Sequence, residues 1–345
     1  MNPPGQRTVE IIGGGLAGLG LALGLQRRGI PVVLREAGRY PRHRVCGEFI
    51  TSLDSATIGG LGLERFLQDA DKAYSVTWYK ESQSRLTQSL PEPALCLSRF
   101  ALDLRMAEAF TQAGGVLITG QRASATPAEG RVLTSGRRPA TRSPWIGLKA
   151  HFENLTLSDD LELHLGRHAY VGLSRVENGR VNVCGLFRRS LGAKGKVRKQ
   201  DMLRTQLKRS GLAYLAERLA EATMDPASVC SVAGLSYHRP ETAPNALRLG
   251  DRFGLIPPFT GNGMTIALQS ARIAVDPLTE WSLGNLDWKA VTETVQTAVE
   301  RELLPKIQRA QRLHPWLLHP TRQRCLVQIA KRRLLPTRWL YHLLH

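Results

Sequence analysis

The chain has 345 residues, 42% hydrophobic and 6% aromatic, with 47 Lys+Arg against 29 Asp+Glu and a formal net charge of +18. That length allows a full core in about two domains, and the balance excludes collagenous, mucin-like and broadly disordered classes. No apolar run approaches the ~20 residues of a bilayer span, and residues 1–5 lead into a glycine-rich stretch where a secretory leader would carry an apolar segment.

Residues 9–12 are a short β-branched run, predicted as a strand, that feeds into Gly13, Gly15 and Gly18 spaced as G-x-G-x-x-G. A helical pattern through Leu19, Ala22, Leu23 and Leu25 follows and closes near Gly29. Residues 30–34 form the next strand, ending at Arg35 and Glu36. Strand, glycines, helix, strand and acid in that order fit one βαβ unit that binds a dinucleotide. Gly13 allows the tight turn, Gly15 lets the backbone approach a pyrophosphate, and Gly18 lets the helix pack on the strand. The helix start at Leu16 and Ala17 offers unpaired N–H groups and a positive dipole end. Glu36, 23 residues after Gly13, stands where an acid accepts ribose hydroxyls, with Ala37 beside it. The alternative is a glycine-rich turn that binds nothing.

Residues 39–49 contain R-x-C-G-E at Arg44, Cys46, Gly47 and Glu48. This string resembles the segment after the second strand in FAD-dependent oxidoreductases of the geranylgeranyl-reductase-like and aromatic-hydroxylase (flavin monooxygenase) superfamily, closest to the first branch. The resemblance implies FAD. Arg44 is then a cation near the pyrophosphate, and Cys46 with Gly47 a tight turn approaching the ring system. Cys46 is the one candidate offered for catalysis. Otherwise Cys46 is a small buried residue, and Arg42 and Arg44 are solvated loop charges.

Residues 97–107 open a helix with an apolar stripe of Leu102, Leu104, Ala107 and Phe110, closed by Gly114 and Gly115. It resembles the flavoprotein helix whose leading arginine reaches the cofactor, which gives Arg99 that role; an ordinary helix-end arginine is the alternative. Residues 116–118 are a strand. Residues 131–139 resemble the short flavoprotein strand ending in A-T-G-x-x-P, which puts Gly136 at the cofactor. The Asp-Gly pair of aromatic hydroxylases is missing there. That weakens the hydroxylase reading and leaves NAD(P)H as the electron donor open.

Residues 145–152, 161–165, 170–173 and 180–187 alternate with period two between Gly and Asn breaks, which predicts an antiparallel sheet. By resemblance it is the substrate domain covering the flavin, and Tyr170 followed by Asn182 and Val183 is similar to the reductase pattern. Lys149, His151 and His164 are candidate acid/base groups. The plainer expectation is that such polar residues face water, and no general base is named. Residues 190–199 read as a basic, solvated loop.

Residues 246–251 are a strand ending in Gly250-Asp251. With Pro257, Pro258, Gly261, Asn262, Gly263 and Met264 they resemble the G-D…P-x-x-G-x-G-M…A-L signature of the same superfamily. The resemblance implies that Asp251 accepts ribityl hydroxyls and that Pro258 stiffens the approach to the ring. Gly261 and Gly263 flank Asn262 with close backbone N–H groups, and the helix from Met264 turns its positive end to the N1–O2 edge.

From residue 280 the pattern is helical, with an apolar stripe of Trp281, Leu283, Leu286, Trp288 and Val291. The last 45 residues hold ten basic residues against Glu302 alone. Such a segment either packs on the parent domain or lies on an anionic membrane surface. Nucleic acid is not expected, because no recognition motif accompanies the charge. Cys46, Cys96, Cys184, Cys230 and Cys325 are odd in number and widely spaced, which fits a reducing cytoplasm and no metal site.

The expected fold is α/β (α+β): a Rossmann-like FAD-binding domain (three-layer ββα) from residues 1–70, 96–144 and 240–280, interleaved with an antiparallel-sheet substrate domain from 71–95 and 145–239. A basic helical C-terminal region follows at 281–345. The implied function is hydride transfer through FAD to or from C–C bonds of a hydrophobic isoprenoid, polyketide or lipid. The alternatives are an FAD monooxygenase using NAD(P)H and O2, and a non-catalytic FAD-binding scaffold. No W-x-W-x-I-P string points to halogenation. The location expected is cytoplasmic, with peripheral contact at the inner membrane face as an option, and the oligomeric state is open.

Overall fold

A computed structural model describes residues 5–80, 82–189, 198–237, 246–332, 341 and 344. Most of the predicted basic loop, residues 190–197, lies outside them. β1 (Val9–Ile12) and β2 (Val32–Glu36) pair in parallel across α1 (Leu16–Gln26). Every residue of α1 from Leu16 to Leu25 is buried, so it has no solvent face, as its uniformly apolar sequence requires. It can lie this close because Gly18 has no side chain: a Cβ there would sit 2.0 Å from the Gly13 carbonyl oxygen.

β3 (Phe49–Ile50) leads to α2 (Ser55–Leu61) and α3 (Glu64–Leu67). The long hairpin of β4 (Asp71–Lys80) and β5 (Gln83–Cys96) follows, then α4 (Arg99–Gln112), β6 (Val116–Thr119) and β7 (Arg131–Leu133). Next come β8 (Trp145–Glu153), β9 (Leu161–Gly166), β10 (Ala169–Val176) and β11 (Arg180–Arg188). α5 (Met202–Arg209), α6 (Ala213–Arg218), β12 (Thr223–Ala233) and β13 (Leu247–Arg248) precede the three long C-terminal helices. These are α7 (Gly263–Ser282), α8 (Trp288–Leu318) and α9 (Pro320–Lys331).

Two sheets result. The first is parallel, in the order β13-β7-β1-β2-β6, with α1, α4 and α7 packed together beside it. The second runs β12-β8-β11-β10-β9-β4-β5-β3 and is antiparallel except where β4 pairs in parallel with β9. The chain therefore has the α/β architecture its motifs predict: a Rossmann-like sheet, a second sheet and C-terminal helices. β3 joins the second sheet although residues 49–50 fall in the first segment of the expected cofactor domain.

Alternation gives the second sheet two buried faces. Leu148, Ala150 and Phe152 of β8 meet Leu203 and Leu207 of α5 on one side. Leu163, Leu165, Tyr170 and Leu186 meet Leu317 and Leu318 of α8 on the other. The expected stripe at the start of the C-terminal region is partly displaced. α7 continues to Ser282 through Pro277, so Trp281, Trp288 and Val291 are buried while Leu283 is 46% exposed.

His164 corrects the expectation that polar residues of this sheet face water. Its side chain is fully buried: Nε2 donates to Glu162, Nδ1 accepts from the Tyr214 hydroxyl, and the ring stacks on Tyr79. The Glu162 carboxylate also accepts both Arg218 Nη groups and the Ser158 N–H. Burial alone pushes this carboxyl up, but His164, Arg218 and Ser158 outweigh it and hold it at about 2 against an ordinary 4.5. A carboxyl with a depressed folded pKa contributes stability above its unfolded pKa and loses it as pH falls toward the folded value. Glu162→Gln should lower stability at neutral pH by roughly 3 kcal/mol. The gap to the parent chain should close as pH falls from about 4.5 to 2 in paired thermal melts.

Candidate functional site

The carboxyl ends of β1, β2, β7 and β13 face the inner side of the second sheet across one cavity of about 1280 Å³. In an open parallel sheet this end is where ligands bind. All residues predicted to hold the cofactor line the cavity except Gly18 and Asn262.

Gly13 turns the chain with φ +115, and a Cβ there would strike Ser135 Cα at 2.5 Å. Gly15 is the N-cap of α1 and provides no side-chain cap, so the first N–H groups of the helix open on the cavity. The nearest atom to a Cβ at Gly15 is Arg99 Nη2, 3.9 Å away. The result is a hollow lined by helix N–H groups and a guanidinium, the chemistry that takes a phosphate.

Two cations stand at this hollow, and one carboxylate holds both. Asp103 accepts Arg99 Nε and Nη2 at 2.7 Å each, and Arg44 Nε at 2.9 Å. Arg44 Nη2 also donates to the Gly14 carbonyl at 3.2 Å. Burial disfavours the charge on Arg99, but Asp103 more than offsets it and raises its pKa. Sequence reasoning missed Asp103. Its only signal was the i+4 spacing after Arg99 on a helix face.

Glu36 lines the cavity yet is only 4% exposed. Its oxygens accept the Gly14 and Gly38 N–H groups at 2.8 and 2.7 Å and pair with Arg42 at 2.9 Å and Arg44 at 3.6 Å. Burial raises its pKa, but the Gly38 N–H, the two guanidinium groups and the Gly14 N–H bring it below the ordinary value. Across the cavity, Asp251 opens into the space. Its carboxyl is raised by desolvation against the pull of Arg99, Arg137 and Arg44.

The 46–48 segment is fixed by the second sheet. Asn182 Nδ2 donates to the carbonyls of Cys46 and Gly47 at 3.0 and 2.9 Å, and Ser174 Oγ donates to Gly47 at 2.7 Å. Glu48 takes a left-handed φ of 58 and is fully buried. It accepts from the Arg99 N–H at 3.0 Å, Lys149 Nζ at 3.1 Å and His151 Nε2 at 2.6 Å. Lys149 and His151 thus meet an interior carboxylate, contrary to the expectation that they face water. At Cys46 burial raises the thiol pKa against the pull of Arg99 and of the Glu48 N–H that Sγ accepts. His43, His151 and Asp225 each bring a ligand atom within 4.8 Å of the others, but Lys149 Nζ already stands 3.0 Å from His43 Nδ1 and opposes a metal cation there.

The Asn262 side chain is buried, accepts from Thr51 Oγ1 and donates Nδ2 to the Leu344 carbonyl, so it ties that residue to the start of α7. Gly136, Gly250, Pro258, Gly261, Gly263 and Met264 line the cavity around that point. The N-terminus of α7, like that of α1, has no side-chain cap.

The other half of the cavity is apolar. Val76, Trp78, Leu163, Leu165 and Leu186 form its sheet side, facing Phe259 and the α8 residues Leu313 and Leu317. Its polar wall is Tyr170, whose hydroxyl lies 3.2 Å from His314 Nε2. Burial holds His314 at about 4, so the imidazole is neutral near pH 7.

No protein-family model and no curated protein matches the sequence. Solved structures do. The chain is similar to HpxO of Klebsiella pneumoniae, solved with FAD and uric acid (15% identity, TM-score 0.76, 99% of this chain and 97% of that one). It is similar to the flavin-dependent brominase Bmp2 (16% identity, TM-score 0.76, 98% and 93% covered). It is also similar to PqsL, a probable FAD-dependent monooxygenase from Pseudomonas aeruginosa (18% identity, TM-score 0.68, 93% and 100% covered). At these identities the likeness establishes the fold.

Asp103→Ala should destabilise the fold by about 2–4 kcal/mol, because it leaves the largely buried Arg99 guanidinium without its carboxylate and Arg44 with Glu36 alone. Urea unfolding at neutral pH measures this, and Asp103→Asn should fall between the two.

Proposed function

We propose that the protein is an FAD-dependent oxidoreductase acting on an apolar substrate. One observation carries this: the uncapped N-termini of α1 and α7 open on the same cavity, and that cavity continues into an apolar chamber. FAD supplies two-electron redox chemistry at its ring. The hollow at Gly15, the α1 N–H groups, Arg44 and Arg99 suit the diphosphate. Glu36 suits the adenosine ribose and Asp251 the ribityl hydroxyls. The uncapped start of α7 suits negative charge on the ring's pyrimidine edge. Tyr170, backed by neutral His314, and the neighbouring Tyr237 hydroxyl suit the orienting of a substrate oxygen in the chamber.

Two reactions fit this frame. The likeness in fold to PqsL favours monooxygenation, for which NAD(P)H is the donor we propose. The R-x-C-G-E segment, gripped by Asn182 and Ser174, keeps reduction of a C–C double bond as the second reading. Mass spectrometry of products from FAD-loaded protein, NADPH and an apolar extract separates them. A gain of one oxygen atom only in air indicates a monooxygenase. A gain of two hydrogens without oxygen indicates a reductase. Tight FAD binding with neither product would leave a non-catalytic scaffold.

Cofactor binding has its own check. Gly15→Val fills the hollow and should abolish FAD retention on a desalting column. Asp251→Asn should weaken FAD by about tenfold in fluorescence titration, the scale of one charge-assisted hydrogen bond. Retention by Gly15→Val protein equal to that of the parent would sink the proposal.

A further inference from the structure

The C-terminal region has an uncommon charge pattern. After Glu302 the remaining 43 residues contain nine Lys and Arg and no acid. A helix face that merely stays solvated interleaves both signs. Arg309 and Arg312 of α8 and Arg322 and Arg324 of α9 are exposed. The helices break at His319, in extended backbone, with Pro320 starting α9.

At that break Trp316 is 38% exposed, one of the few large apolar side chains on the described surface. The Arg322 guanidinium lies 5.9 Å over its ring. Trp316 also lines the cavity, together with Leu313, Leu317, Leu326 and Val327. One side chain therefore touches both the basic surface and the apolar chamber. A Trp flanked by arginines suits the headgroup layer of a bilayer, where an amphipathic ring and cations are both favoured. No helix among the described residues is long and apolar enough to cross a membrane, so any contact there is in-plane.

We propose that the α8–α9 face docks on an anionic lipid surface, with Trp316 in the headgroup layer, and that an apolar molecule passes from the bilayer to the chamber between Trp316 and Leu326. Docking is independent of the flavin reading; the entry route rests on it. Charge complementarity selects the occupant, because anionic lipid presents negative charge above an apolar interior and this face presents the reverse in the same order. Duplex nucleic acid would satisfy the arginines but leave Trp316 and the chamber mouth unused.

The test is vesicle co-sedimentation of the full chain, apo and FAD-loaded, with phosphatidylcholine vesicles that contain or lack phosphatidylglycerol. Both forms should bind only the phosphatidylglycerol vesicles, and binding should fall steeply with salt. The double variant Arg322→Glu/Arg324→Glu should lower binding at least about twentyfold. Arg204→Glu/Lys208→Glu on α5, across the second sheet, should leave it unchanged. Brominated lipid should quench parent fluorescence more than that of Trp316→Phe. Circular dichroism and a cooperative thermal melt confirm that each variant is folded. Equal binding to both vesicle types, no binding at low salt, an equal loss from the α5 reversal, or displacement of vesicles by duplex DNA would each overturn the docking. Vesicle binding by protein that retains no FAD would leave the docking standing and remove the flavin reading.

Discussion

A buried carboxylate makes the phosphate-type hollow possible. Two guanidinium groups and the positive end of α1 meet at Gly15, and like charges in a low-dielectric site repel strongly. Asp103 holds Arg99 through two hydrogen bonds and Arg44 through a third, and it does so from the same helix that Arg99 begins. Glu36 closes the arrangement from β2 by accepting two backbone N–H groups and pairing with Arg42 and Arg44. The arginines are therefore pre-aimed. An anion entering the hollow finds donors already placed and does not have to order them, which lowers the entropic cost of binding.

The second sheet does the corresponding work for the part of the cavity beside residues 46–48. Neighbouring strands carry Lys149 and His151 on β8, Asn182 on β11 and Ser174 on β10 along one face. Those side chains hold Gly47 and Glu48, and Glu48 in turn binds the first N–H of α4. A left-handed non-glycine residue costs of order 1–2 kcal/mol, and the partners of Glu48 offset it. The sheet thereby locates both the 46–48 backbone and, through α4, Arg99. The two halves of the chain meet at one carboxylate, so the cavity cannot widen without breaking buried charge pairs.

This division explains what could be read in the sequence. The G-x-G-x-x-G turn was legible because its demands are local: φ at Gly13 and the approach of Gly18 to a backbone oxygen are set by adjacent residues. The strands of the second sheet were legible because alternation reports a buried face. Asp103 showed only its i+4 spacing from Arg99. The side-chain contacts of Glu48 and Asn262 were not legible. Their partners lie far along the chain, Leu344 for Asn262 and Lys149 for Glu48, and spacing carries no trace of such pairings. Lys149 and His151 misled for the same reason, and so did His164, whose carboxylate Glu162 is two residues away but whose further partners Tyr214 and Arg218 are not. A polar residue in an alternating strand reads as solvent-facing unless its distant partners are known.

The C-terminal helices show why apolar and basic residues share one segment. Leu317 and Leu318 bury themselves against Leu163, Leu165 and Leu186, so the leucines of this region complete the chamber wall. The arginines occupy the opposite side of the same helices. A helix that must close an apolar space on one face has its other face free to vary in charge without cost to the core. That freedom does not explain a single sign. Fold stability alone asks only that the outer face be polar, and mixed charges would serve it better by limiting self-repulsion. Under the docking proposed above, the absence of acids after Glu302 answers to an anionic surface outside the fold.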